Sequence, residues 1–344
     1  MTTAAAADTG GPRSGPGAPR PVALLLPGQG SQHRAMAAGL HPSEPVFAAA
    51  FDEVLDAMGR HGAMMRADWL AAERPEVPLD HVLRSQPLLF AVDYALGRLV
   101  LSWGIRPVAL LGHSIGELAA ATLAGVFPVR DAARVVLDRV VRLADSPPGG
   151  MLAVAATPER LAPYLGGQVA VGAVNAPGQT VLSGPGDELR AVGERLRADG
   201  LVFRPVPALS AFHSPALAPY AKGAERLLAA VPRRPPGTPV YSGYTAAPLT
   251  AEQAVSPEFW ARQPVDPVWF WSALGALLDT GGRVLVEAGP GQGLAAVARR
   301  HTAVRRGHSR VVALLPARPG GPDADRAALT AAKAELRDEG YDIP

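Results

Sequence analysis

The chain has 344 residues, 48% of them hydrophobic and 19% charged, enough to bury a sizeable core as one large domain or two smaller ones. It contains no cysteine, which excludes disulfides, thiolate metal sites and a cysteine nucleophile, so any acyl chemistry must run through an oxygen. The net charge of +2 argues against nucleic-acid binding as the main task, and with Lys222 and Lys333 as the only lysines a GK[ST] phosphate loop is absent and a Schiff-base lysine is disfavoured.

Gly and Pro together make about a fifth of the chain, above the usual ~12%. Residues 1–20 hold part of that excess, and their small residues without periodicity predict a disordered tail. The N-terminus lacks the basic and apolar regions of a signal peptide, and no apolar run approaches the ~20 residues of a membrane span. The expectation is a cytoplasmic monomer that binds neither membrane nor nucleic acid.

The apolar run at 21–26, ended by Pro27-Gly28, predicts a first buried strand. Helical spacing follows over 46–58 and 87–103, then a second buried strand at 108–111. A helix over 117–124 is closed by Gly125, and another spans 130–144, entered through Pro128. Residues 148–210 change rhythm, with strands predicted at 151–156, 169–174, 180–183 and 201–206 and helices at 158–165 and 187–199. That β-α-β-β-α-β order is ferredoxin-like. Strands at 240–242, 283–287 and 311–315 return to the α/β pattern, and a charged helix over 323–339 fills a C-terminal tail, 317–344, that either packs or swings free. The predicted fold class is α/β: a large α/β-hydrolase-like domain with a parallel sheet (21–147 and 211–316), interrupted by a small ferredoxin-like subdomain (148–210).

Gly112-His113-Ser114-Ile115-Gly116 lies between a predicted strand and a predicted helix, the context of a nucleophile elbow. Ser114 would stand at a helix N-terminus, where free N–H groups and the helix dipole favour developing negative charge; a Ser helix cap in a glycine-rich turn is the structural alternative. A serine nucleophile needs a general base. Downstream histidines are His213, His301 and His308, of which the last two sit in an arginine-rich, solvated-looking segment. His213 lies where the insert ends, a position that borders a cleft, although a structural His is an equal alternative on composition alone.

Six motifs occur together in order: PGQGSQ at 27–32, GHSIGE at 112–117, NAPGQ at 175–179, AFHSP at 211–215, PVYSG at 239–243 and EAGPG at 287–291. Across residues 21–316 this resembles the malonyl-CoA:acyl-carrier-protein transacylase family, which includes the acyltransferase domains of polyketide and fatty-acid synthases. The resemblance implies Ser114 as nucleophile and His213 as general base and acid, the His oriented by a backbone carbonyl at the position matching Gln263. It implies an oxyanion hole from the N–H groups of Gln29 and Ile115. Arg139 matches the arginine that pairs with the free carboxylate of malonyl-type substrates, a task suited to its planar fork. The family often reads R-G-x-x-M here, whereas this chain has Arg139-Val140-Val141-Arg142, which leaves Arg142 as a spare candidate and a surface arginine as the bland alternative.

Phe212 before the His resembles the malonyl pattern, its ring filling the space of a 2-substituent, although Ser210 replaces the commoner His or Gly. Ala211 and Gln86 are expected to line the same pocket, with core packing as the alternative. Asn175, the single asparagine, falls inside a motif and is taken as substrate-binding. No metal and no cofactor are required, only a coenzyme A thioester as donor and an acidic, phosphopantetheinylated acyl carrier protein as acceptor. The patch containing Arg299, Arg300, Arg305 and Arg306 is the expected carrier docking site, against the alternative of plain solvated arginines. A chain with this one activity is expected to work in trans. Carrier-to-carrier transfer of an unusual aminoacyl or dipeptidyl starter is the second reading, and a serine esterase the third, although the HGGG-type loop of esterases is missing.

Overall fold

The computed structural model describes residues 19–70 and 77–344, so nearly all of the tail expected at 1–20 lies outside the described residues. A six-stranded sheet has the order β10-β9-β1-β2-β7-β8, from β1 (Val22–Leu26), β2 (Ala109–Gly112), β7 (Val240–Ser242), β8 (Ala247–Pro248), β9 (Val284–Glu287) and β10 (Arg310–Ala313). Every pairing in it is parallel except β7 with β8. In register, Leu24 faces Leu110 on one side and Val286 on the other.

Helices cover both faces, which is why the central strands read as unbroken apolar runs. Val22, Leu24 and Leu26 enter one core with Phe47, Phe51, Leu88 and Leu118. Their alternates Ala23 and Leu25 enter another with Phe212, Phe270 and Leu274. The second sheet is antiparallel, of order β4-β5-β3-β6, from β3 (Gly149–Val154), β4 (Ala170–Ala176), β5 (Gln179–Pro185) and β6 (Phe203–Pro205). Along β3 the period-2 alternation sends Met151 and Ala153 toward the large sheet's core and Leu152 and Val154 toward the helix Gly186–Ala198.

The departures from the predicted elements have local causes. The helix expected from Pro87 starts five residues earlier, as Val82–Ser102, because the His81 ring nitrogen accepts from the Leu83 N–H and caps it. β6 is shorter than predicted: Pro205 supplies no N–H to continue an edge ladder. The C-terminal helix Gly321–Asp338 packs, burying Leu329, Ala332 and Leu336. Glu339 beyond it bridges Arg20 and Arg310, each at 2.8 Å.

Candidate active site

β2 runs into the turn at Ser114, which holds φ 55° and ψ −119°, and the helix Ile115–Leu123 begins at the next residue. Two close approaches force this shape. A Cβ at Gly116 would lie 2.1 Å from the Leu26 carbonyl oxygen, and one at Gly28 would lie 2.3 Å from that of His113. The loop after β1 is thereby laid against the elbow. Gln32 fixes it there: its Oε1 accepts from the Gly30 N–H at 2.7 Å and its Nε2 donates to Asp80 and to the Pro207 carbonyl.

The Ser114 side chain caps nothing, and its Oγ lies 2.7 Å from His213 Nε2. His213 also holds positive φ, 62°, and its backbone N–H donates to the Pro264 carbonyl at 2.7 Å. Its Nδ1 lies 2.9 Å from the Asp266 carbonyl oxygen. A carbonyl only accepts, so Nδ1 carries the proton and Nε2 is left as acceptor toward the serine hydroxyl. Burial pushes His213 down to about 4, aided by nearby His113 and opposed by the Asp266 and Gln263 carbonyls. The carbonyl that orients the ring is therefore chiefly that of Asp266, a correction to Gln263. The Gln263 side chain does something else, accepting from Arg139 at 3.2 Å.

Gln29 and Ile115 come from the two apposed turns, and neither backbone N–H has an acceptor among the described residues. Ile115 is fully buried at the helix start. The Gln29 side chain donates to the Pro207 carbonyl at 3.1 Å, and its buried Oε1 has no partner. Asn175 Oδ1 lies 2.8 Å from His113 Nε2, which steadies the residue before the nucleophile. Ser114, His213, Gln29, Asn175 and Phe212 all line one cleft between the two sheets, about 1490 Å³ of space open to solvent.

Arg139 is 8% exposed. It donates to the Trp260 carbonyl at 3.1 Å and to Gln263 Oε1 at 3.2 Å, and no carboxylate lies within ion-pair distance of it among the described residues. It lies off the cleft wall, where it lines a narrow neighbouring crevice with Tyr220, Leu228 and Trp260. Arg142 is removed as a substitute, because it pairs with Asp138 at 2.7 Å. Ala211 and Gln86 are buried but do not reach the cleft, which corrects their expected place. Ala211 is pressed onto Gly149, and Gln86 sits in the first turns of the helix Val82–Ser102 with its Oε1 unpartnered. Arg299, Arg300, Arg305 and Arg306 are exposed, whereas His301 is half-buried, caps the helix Thr302–Arg305 and lies against Trp271.

Sequence reasoning missed Glu117 and Tyr244. Glu117 is fully buried; its carboxylate accepts from Ser242 Oγ at 2.7 Å and from the Gly243 N–H at 2.8 Å. Burial pushes it up to about 8 against those hydrogen bonds and the nearby Arg139 charge. Its place in GHSIGE, one helical turn after the serine, was the available signal. Tyr244, directly after the PVYSG motif, has its ring centroid 6.1 Å from that of His213.

The acyl transferase domain family matches residues 24–338. A phenolphthiocerol/phthiocerol polyketide synthase protein of Mycobacterium tuberculosis is 41% identical over 281 residues, covering 81% of this chain and 19% of that protein. The chain thus spans about a fifth of that relative's length. The acyltransferase domain from the second module of the salinomycin polyketide synthase superposes with a TM-score of 0.85 at 34% identity, over 95% of this chain and 75% of that one. A malonyl-transacylase solved in complex with a type II polyketide synthase acyl-carrier protein gives a TM-score of 0.79 at 25% identity, over 92% and 99%. Since the family match runs from β1 through the elbow and both sheets to the end of the C-terminal helix, the chain belongs to the acyl transferase domains and is an acyltransferase.

Proposed function

We propose that this acyltransferase moves a short carboxylated acyl group, malonyl first among them, from a coenzyme A thioester to the phosphopantetheine thiol of an acyl carrier protein. The observation that carries the reading is the pairing of a 2.7 Å Ser114–His213 contact with a buried Arg139 nearby that hydrogen-bonds only to the Trp260 carbonyl and the Gln263 amide among the described residues. A buried guanidinium hydrogen-bonded only to neutral groups, with Glu117 reached only through Gln263, is stabilised when an anion bonds to it directly.

In this reading the cleft between the large α/β part (21–147 and 211–316) and the insert (148–210) admits the thioester arm. His213 Nε2 takes the Ser114 proton as Oγ attacks the thioester carbon. The N–H groups of Gln29 and Ile115 receive the oxyanion, and losing one such donor typically costs about 10²–10³ in turnover. The intermediate collapses to an acyl-Ser114 ester as the C–S bond breaks, and His213 returns the proton to the departing thiolate. The carrier's thiol then repeats the steps in reverse order. Side chains and backbone suffice, and no cofactor is called for.

Phe212 on the cleft wall limits the space at C2 of the acyl group, which favours malonyl over branched donors by the ~1–3 kcal/mol that one methyl decides. The carrier partner is supported by the neighbouring structure solved with its acyl-carrier protein. Intact-protein mass spectrometry after mixing with malonyl-CoA tests the reading. The expected result is one malonyl adduct, lost in Ser114→Ala, and a collapse of the malonyl-over-acetyl preference in Arg139→Ala. No adduct from any CoA thioester, with one from a loaded carrier protein, would overturn coenzyme A as donor.

A further inference from the structure

Ser114-Ile115-Gly116-Glu117 has the S-x-x-E spacing of a capping box, in which the serine hydroxyl accepts from the N–H three residues on and the glutamate reaches back to the serine N–H. Neither side chain does so here. The Ser114 hydroxyl caps nothing and faces His213. The Glu117 carboxylate leaves its own helix for the end of β7, accepting from Ser242 Oγ at 2.7 Å and from the Gly243 N–H at 2.8 Å, with the Gln263 amide a longer third contact at 3.5 Å. It is fully buried, and no cationic side chain lies within ion-pair distance of it among the described residues. A buried acid held this way is destabilising relative to an apolar side chain of similar volume, so stability alone does not account for it.

What Glu117 reaches is the loop that grips the general base. Gly243 passes the contact on, its carbonyl accepting from the Trp269 N–H at 2.6 Å, and Gln263 touches Glu117 from the other end of the same loop. Between these two points lie Pro264, whose carbonyl accepts from the His213 N–H, and Asp266, whose carbonyl accepts from His213 Nδ1. On its other side Glu117 is locked to the serine turn. Its N–H donates to the Ser114 carbonyl at 2.9 Å, and a Cβ at Gly112 would lie 2.1 Å from its nitrogen. One residue thus refers both halves of the Ser114–His213 contact to a common point.

We infer that Glu117 is a positioning residue for acyl transfer: it fixes the loop over 263–269 against the serine helix, so that His213 Nε2 meets Ser114 Oγ in the direction that proton transfer needs. This rests on Ser114 and His213 as nucleophile and base. Glu117 does not line the cleft, so its loss slows the chemical step and leaves donor binding as it was. Misplacing a reacting group by ~1 Å costs up to about 10²-fold in rate.

The test compares single-turnover acylation of Ser114 by malonyl-CoA in the wild-type chain, Glu117→Met and Glu117→Gln. Methionine fills the space without an oxygen, whereas glutamine keeps one oxygen for the Gly243 N–H. The expected result is a maximal rate about 10–100-fold lower in Glu117→Met at an unchanged half-saturating donor concentration, with most of the loss recovered in Glu117→Gln. The proton on His213 Nδ1, followed by NMR, should exchange with water faster in Glu117→Met as its bond to Asp266 loosens. A folded Glu117→Met chain with the wild-type rate, with a change in half-saturation alone, or with an unmoved Nδ1 proton overturns the inference and leaves Glu117 a purely structural role. If Glu117→Met does not fold, Ser242→Ala takes its place: it keeps the carboxylate, removes one donor to it and should slow acylation about 3–10-fold, and an unchanged rate there overturns the inference likewise. A wild-type chain that takes no acyl group on Ser114 from any thioester sinks the Ser114–His213 reading and this inference with it, whereas wild-type acylation with unaltered variants sinks this inference alone.

Discussion

The 2.7 Å contact between Ser114 Oγ and His213 Nε2 is made by two non-glycine residues that both hold positive φ, 55° and 62°. Such conformations cost about 1–3 kcal/mol each and persist only where surrounding packing over-determines them. Here Gly28 and Gly116 lock the serine turn from both sides, and the Pro264 and Asp266 carbonyls lock the histidine.

Ser114→Ala and Ser114→Gly should therefore both abolish acylation but differ in stability. Alanine keeps the strain, whereas glycine relieves it and gives back ~0.5–1 kcal/mol in unfolded-chain entropy. Urea unfolding is expected to find the glycine variant more stable than the alanine variant by about 1 kcal/mol. Equal midpoints would mean that the turn stores no strain.

His213 gives a pH prediction. Burial, with His113 beside it, lowers its native value from 6.5 to about 4, so between those values the unfolded chain binds the proton and the folded one does not. The stabilisation is present above pH 6.5 and is lost as pH falls toward about 4, at about 1.4 kcal/mol per pH unit. For the reaction, the base is already neutral across physiological pH. The single-turnover acylation rate should show no inflection near the ordinary histidine value of 6.5 as pH is lowered from about 8 to about 5, and an inflection there would place His213 in a wetter setting than the one described.

The elbow was legible because its chemistry is written in side chains and glycines: GHSIG needs only a strand before it and a helix after it. The strands β1, β2 and β9 were legible because a parallel sheet covered on both faces demands unbroken apolar runs. Asp266 was not, since its contribution is a backbone carbonyl, which any residue could supply and only the turn after Arg262 brings to His213. Glu117 and Tyr244 acquire meaning only from what the fold packs against them. The helix Arg60–Leu70 was missed because its apolar stripe is blurred: Met64 and Leu70 are exposed while Gly62 is buried.

Asp93 predicts a pH effect of opposite sign. It is fully buried, neither carboxyl oxygen has a partner, and the chain at Gly289 presses on it, since a Cβ there would lie 2.4 Å from its Oδ1. Burial, and secondarily the charge of Glu287, hold it well above the usual carboxylate range. The folded chain thus keeps a proton that the unfolded chain releases above pH ~4. Stability is fully present below that pH and declines by about 1.4 kcal/mol per unit as pH rises toward the native value, beyond which it is lost. Asp93→Asn mimics the protonated acid, so the variant's unfolding free energy should gain on that of wild type between about pH 5 and about pH 8. Parallel curves at the two pH values would refute a buried proton at Asp93.

Carrier docking is the last test, and it turns on where the arginines lie relative to the cleft. The helix Gly293–Ala298 begins on the cleft wall at Gly293 and Leu294 and ends at exposed Arg299 and Arg300. Arg300 donates to Gln179 Oε1 at 3.1 Å, and Gln179 is itself on that wall. Arg305 and Arg306 continue the exposed patch, whereas Arg310 is occupied by Glu339. An acidic carrier seated on this patch would have its thiol arm beside the cleft entrance. Replacing Arg299, Arg305 and Arg306 with Glu should raise the carrier-protein KM at least ~10-fold at low salt and flatten its salt dependence, because rim charges act through steering and are screened within ~10 Å at 0.1 M. Ser114 loading from a malonyl thioester of a short, uncharged thiol, whose thiol portion carries no phosphate for the arginines to attract, serves as the internal control. Arg300→Glu is measured separately, since it also breaks the link to Gln179. A carrier KM and salt slope equal to wild type in the triple variant would assign these arginines to plain solvation.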